Sequence, residues 1–155
     1  MTRRLQDEIK QSRPFQSLEE EVTLGLARTA DALARASEDV FRGSGLTPTQ
    51  YNVLRILRGA GAAGLSCGDV AGRMITRDPD LTRLLDRLEA RSLVTRARDG
   101  ADRRVVTTRI TQAGLALLAQ LDEPVQAQHR ELLGHLGKDK LKALAQLLDE
   151  ARSKS

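Results

Sequence analysis

Aromatic side chains are almost missing from these 155 residues: two phenylalanines, one tyrosine and no tryptophan, 2% in all. Apolar residues still make up 40%, so any core must be assembled from Leu, Val, Ile and Ala. That palette suits packed helices better than a sandwich or barrel. Cysteine occurs once, as Cys67, which excludes an internal disulfide. No apolar run is long enough to span a bilayer, and the opening MTRRLQDEIKQSRPF has no apolar stretch of the kind a secretory leader needs. These absences lead to the expectation of a soluble, cytoplasmic protein. A chain of this length can bury a core without disulfides or a structural metal, and is expected to form one domain with helical extensions.

Charge is present in quantity but unevenly placed. The chain carries 25 basic and 21 acidic residues, a net charge of +4. Between Arg73 and Arg109 ten arginines face six acids, so this stretch alone accounts for the whole excess. Every lysine lies outside it. The planar guanidinium binds phosphates and guanine edges through two parallel hydrogen bonds, which an ammonium cannot do. The competing reading is an ordinary solvated charged face.

Residues 1–16, with mixed charge and a proline, read as a flexible arm. From Ser17, the apolar positions Leu18, Val22, Leu26, Leu33, Ala36 and Val40 recur at helical spacing up to the glycines of Arg42-Gly43-Ser44-Gly45. About six turns is more than a small globule requires, and long terminal helices often pack on a partner subunit. Thr47-Pro48-Thr49-Gln50 carries a capping-box pattern with proline at the first helical position, so a short helix is expected to run on to Arg58. Gly59-Ala60-Gly61-Ala62-Ala63-Gly64 spells a GxGxxG motif. It follows a helix instead of a strand, which reduces it to a flexible loop rather than a dinucleotide site.

Ser66 caps the next short helix, with Asp69 in its first turn. Asp78-Pro79 predicts another helix start, and Leu81, Leu84, Leu85 and Leu88 then mark one buried stripe. Two short helices joined by a tight turn, the second with a basic outer face, make a helix-turn-helix. The period then shortens to two: Val94–Arg98 and Val105–Ile110, around Asp99-Gly100-Ala101-Asp102, predict an arginine-rich hairpin, the wing. Thr111 caps a further helix that Pro124 is expected to kink or interrupt. A last amphipathic helix carries Leu141, Leu144, Leu147 and Leu148.

The expected fold is therefore mainly α with a small β-hairpin wing. A winged helix-turn-helix lobe occupies 47–110, and a helical dimerisation region is assigned to 17–46 and 111–152. A helix fits the major groove of double-stranded DNA, with its N-terminal residues nearest the base edges. The candidates there are Arg77, Asp80, Thr82, Arg83 and Arg87, with Arg83 favoured for base readout. The competing reading is that Arg83 and Arg87 merely pair with Asp80, Asp86 or Glu89 at helical spacing. At the wing, Arg103 and Arg104 suit a narrow minor groove, and Asp102 could hold either as a wing-stabilising ion pair.

These residues carry a resemblance. Thr47-Pro48-Thr49-Gln50-Tyr51-x-Val53-Leu54, the stretch Leu81-Thr82-Arg83-Leu84-Leu85-Asp86-Arg87-Leu88-Glu89-Ala90-Arg91, then Asp102-Arg103-Arg104 and Thr111-Gln112-Ala113-Gly114 are similar to the MarR (multiple antibiotic resistance regulator) family. The resemblance runs from about Leu18 to Leu148. It implies a homodimeric transcription regulator whose terminal helices interlock, whose 78–91 helix reads the major groove, and whose Arg104 acts at the minor groove. It also implies a small-molecule effector bound between dimer helices and DNA-binding lobe. One position departs: the family usually has glycine where this chain has Ser92, and a left-handed cap there costs a non-glycine residue about 1 kcal/mol.

Other functions find less support. No Ser/His/Asp or Cys/His constellation suggests an enzyme, and no cofactor is expected. His129 and His135 lie on different helix faces, and Glu131 with His135 supplies two ligands at most, so no metal site is expected. Cys67 sits at a helix start, where its thiol is more easily ionised, yet a buried or half-buried packing role accounts for it better. A winged helix turned protein-binding module is the remaining alternative, and the arginine-only charge excess speaks against it.

Overall fold

The computed structural model describes residues 4–154, and the chain divides into two compact units, 1–36 and 37–155. Of the expected N-terminal arm, residues 1–3 lie outside the described residues. The rest holds one helical turn, α1 (Leu5–Glu8), and the Gln11 amide donates to the Arg13 carbonyl at 2.9 Å. Helix α2 (Leu18–Phe41) follows, its first turn tied by the Glu20 N–H donating to Ser17 Oγ at 3.1 Å. Leu18 and Val22 on this helix are exposed, at 76% and 59%. It ends in a 3-10 turn, Arg42–Ser44, and a left-handed Gly45, as the glycine cluster predicted.

In the second unit, α3 (Pro48–Ala60) begins with the full capping box: Thr47 Oγ1 accepts from the Gln50 N–H, and Gln50 Oε1 accepts from the Thr47 N–H. The expected flexible glycine loop is instead built. A 3-10 turn, Gly61–Ala63, leads to Gly64 at φ +67°. A Cβ at Gly64 would lie 2.6 Å from the Thr108 carbonyl oxygen, so a strand approaches too closely for any other residue. That strand contact creates an element too short to show a period in sequence, β1 (Leu65–Ser66). Helix α4 (Cys67–Arg73) follows under a Ser66 cap, then α5 (Leu81–Ala90), β2 (Val94–Ala97) and β3 (Thr107–Ile110).

The sheet is antiparallel with order β1-β3-β2, pairing Val94 with Ile110 and Arg96 with Thr108. The fold is thus mostly helical with a small three-stranded sheet, one strand more than the expected hairpin. Helix α6 (Gln112–Leu133) continues past Pro124, which does not interrupt it. Pro124 is exposed, as is Gln120, whose carbonyl loses its helical donor, while Val125 is buried. A 3-10 turn and left-handed Gly137 then open α7 (Gly137–Arg152).

The core joins α3 (Val53, Leu54, Leu57), α4 (Val70), the four leucines of α5, Val94 of β2, and Leu118, Leu121 and Val125 of α6. Burying each large aliphatic contributes about 1.5–3 kcal/mol. Two of the three aromatics meet there: Phe41 and Tyr51 stack with ring centroids 4.4 Å apart.

Candidate nucleic-acid interface

Helix α5, expected from the sequence to face DNA, exists because one face is entirely leucine. Leu81, Leu84, Leu85 and Leu88 are all buried, which fixes Thr82, Arg83, Asp86 and Arg87 on the solvent side. Its start differs from the Asp78-Pro79 expectation by two residues. Asp78 Oδ1 accepts from the Asp80 N–H at 2.8 Å, a local turn that competes with helix. Asp80 therefore becomes the cap, accepting from the Arg83 N–H at 3.3 Å. The α4–α5 connection is correspondingly longer than the tight turn expected, spanning residues 74–80. It is held from beneath by buried Asn52 of α3, whose Oδ1 accepts from the Ile75 N–H at 3.1 Å.

Asp80, Arg83 and Arg87 line one open cleft together with Thr49 and Asp78. Arg83 Nε lies 3.3 Å from Asp80, with the arginine side chain 69% exposed. An exposed pair of this kind is worth about 0–1 kcal/mol and exchanges readily for a phosphate. The Arg87 and Arg77 side chains are exposed and have no ion-pair partner among the described residues, and Thr82 is exposed on the first turn of α5.

The wing loop spans residues 98–106, longer than predicted because β3 begins at Thr107 and not Val105. The Val105 N–H donates to the Asp102 carbonyl at 3.1 Å, and Arg98 Nη1 donates to the Arg103 carbonyl at 3.2 Å. Those bonds fold the backbone into a turn where a strand was expected. Asp102 selects Arg104: its carboxylate accepts from the Arg104 N–H (3.0 Å), Nε (3.1 Å) and Nη2 (3.2 Å). The Arg104 guanidinium, followed by its backbone N–H, holds the Asp102 carboxyl below the usual aspartate range. Arg103 makes no ion pair among the described residues, so it and Arg104 stand at the tip in different states.

Four arginines of the charge-rich stretch, passed over in the sequence, serve the scaffold. Arg91 donates to the Ser44 and Gly45 carbonyls, both at 3.0 Å, fastening the end of α5 to the loop before α3. Arg98 braces the wing turn. Arg109 Nε donates to the Ala62 carbonyl at 2.8 Å while its Nη1 pairs with Asp99 at 2.9 Å. Arg96 on β2 pairs with both Asp86 and Glu89 of α5, the latter at 3.0 Å. Hydrogen bonds to Glu89 and then Asp86 raise its pKa further. A signal for Arg96 was available: strand alternation puts it on the inner face with Val94, where a cation requires partners.

The corner between α5 and β2 is closed by Ser92, at φ +57°. The Leu93 N–H donates to the Leu88 carbonyl and the Ser92 N–H to the Glu89 carbonyl, a Schellman ending. Below it, Thr111 caps α6 through the Gly114 N–H and also donates to the Ser92 carbonyl at 2.7 Å. A Cβ at Gly114 would fall 2.5 Å from the Leu93 carbonyl oxygen. The Thr111–Gly114 motif is thus the seat on which the helix-to-wing corner rests.

Among the described residues no helix is long and apolar enough to cross a membrane. No group of three or more His, Cys, Asp or Glu side chains there could hold a metal ion, and Cys67 is half-buried.

Comparison with known proteins finds the same fold. The family model described as MarR family matches residues 46–106. A MarR transcription factor from Planctomyces limnophilus is 43% identical, covering 88% of this chain and 98% of that one, at a TM-score of 0.68. A mutant MarR from E. coli complexed with operator DNA is 27% identical, covers 88% and 99%, and superposes at 0.77. BpsR of Bordetella bronchiseptica, whose DNA binding is regulated by 6-hydroxynicotinic acid, is 26% identical, covers 91% and 99%, and superposes at 0.80.

Proposed function

This chain belongs to the MarR family of transcription regulators, and from that premise we propose that it acts as a homodimer on a pseudo-palindromic duplex. Each α5 enters a major groove, each wing reaches the neighbouring minor groove, and a small-molecule effector modulates the complex. The observation that carries this reading is the face of α5 opposite its leucine stripe. It presents Thr82, Arg83 and Arg87 outward from a helix whose first turn is capped and whose end is pinned. In that scheme Arg83 reads a base, Arg77, Thr82 and Arg87 approach bases or phosphates, and Asp80 orients Arg83. Arg103 and Arg104 serve the wing, with Asp102 preorganising Arg104. The effector is supported by BpsR, a full-length likeness whose DNA binding a small aromatic acid regulates.

Selection from a random duplex pool, followed by binding measured against salt, tests the proposal. Affinity should fall steeply as salt rises, because several phosphates are neutralised. Arg83→Ala should cost about 1–3 kcal/mol on the selected site and relax base preference at one position per half-site. No enriched duplex, or binding indifferent to salt, would refute it.

A further inference from the structure

The tie between Arg96, Asp86 and Glu89 has consequences beyond local stability. Asp86 and Glu89 lie three apart on α5 and are 56% and 42% exposed. Left alone, they would place two negative charges on the helix that this reading turns toward a polyanion. Arg96 comes from the other DNA-contacting element, the sheet that leads into the wing, and is itself only 20% exposed. It stands opposite Thr108, which is buried to 1%, so its backbone is fixed by the middle strand of the sheet. The chain connects α5 to β2 through Arg91, Ser92 and Leu93 alone, and Ser92 is the strained pivot of that link. A guanidinium fork can engage two carboxylates at once, as a lysine's single point charge cannot.

We propose that Arg96 is a positioning residue for specific DNA recognition: by gripping Asp86 and Glu89 it locks the angle between recognition helix and wing. Arg96 touches no DNA in this scheme. It acts through the two acids, which are thereby kept on α5 for a reason other than contact with the duplex. The inference rests on the proposed use of α5 and the wing as the DNA-binding face.

The decisive variant is the double substitution Asp86→Asn with Glu89→Gln. Both acids are exposed, so the protein should fold, as circular dichroism and the thermal midpoint would verify. Removing two negative charges from a DNA-binding protein raises its affinity for any duplex on electrostatic grounds. Positioning predicts a different pattern on the duplex selected by the wild-type protein and a scrambled duplex of equal composition. Affinity for the scrambled duplex should hold or rise, while the selected-to-scrambled ratio should fall by about tenfold or more, the size of one lost base contact. Arg96→Gln should lower the same ratio, and Arg96→Lys should restore it only in part. If both affinities rise together in the folded double variant with their ratio unchanged, Arg96 is a bulk charge and the proposal fails. If the wild-type protein enriches no duplex at all, the DNA-binding reading itself has failed instead.

Discussion

An arginine's role is decided by which carboxylate or carbonyl reaches it. Arg103 and Arg104 are adjacent in the chain, yet Asp102 pairs only with the second. Its three bonds to Arg104 fall within one turn, so they hold the guanidinium at the wing tip at little entropic cost. Because the folded-state pKa of Asp102 is lowered, the pair's contribution is complete above the ordinary aspartate value. It is lost only as pH falls through the lower folded value. The Asp102 carboxyl, followed by NMR, should therefore titrate below the usual range, and Arg104→Ala should raise it part of the way back, because the backbone N–H at position 104 still donates to it. An unchanged titration in that variant would show that the tip is not preorganised by this pair. The outward placement of Thr82, Arg83 and Arg87 was legible because it follows from the leucine stripe. Arg91, Arg96 and Arg109 were not separable from them by charge, since their partners come from other elements and loops.

At the scale of elements, most boundaries follow from short-range chemistry, and the misses follow from competition between neighbours. Thr47, Ser66 and Thr111 cap the helices they were expected to cap. Asp78 and Asp80 both could, and the turn Asp78 makes with the Asp80 N–H left the cap to Asp80. The helix-to-wing corner is the element with stored strain. A serine at φ +57° costs about 1 kcal/mol relative to glycine, partly offset because glycine is freer in the unfolded chain. Ser92→Gly should raise the thermal midpoint slightly, by the equivalent of up to about 1 kcal/mol. A lower midpoint would mean that the serine makes a compensating bond.

For the whole molecule, the long helix α2 and the final helix α7 bury little. Leu18, Val22, Leu24 and Leu26 are exposed along α2, as is Leu147 on α7, and no residue of α7 is buried. Leu18, Val22 and Leu26 share one helical face, and an apolar stripe left in water is characteristic of a surface that a second subunit covers. The 17.0 kDa chain should sediment as a dimer at micromolar concentration, with a thermal midpoint that rises with protein concentration. Leu18→Glu with Val22→Glu should shift it toward monomer and weaken binding to a two-half-site duplex. A wild-type monomer at that concentration would sink the dimer reading.

The sequence by itself determined the helices, their caps, the buried stripe of α5 and the arginine bias, because each depends on residues within a few positions of one another. Family membership was legible for the same reason, carried by contiguous motifs. Only the tertiary structure decided which arginines remain available to a ligand and which are consumed by the scaffold. It also converted the glycine run into a packed turn, added β1, and seated Ser92 upon Thr111 and Gly114. Those outcomes depend on strands and helices meeting across tens of residues, where a side chain's partner is set by packing and not by its neighbours in the chain.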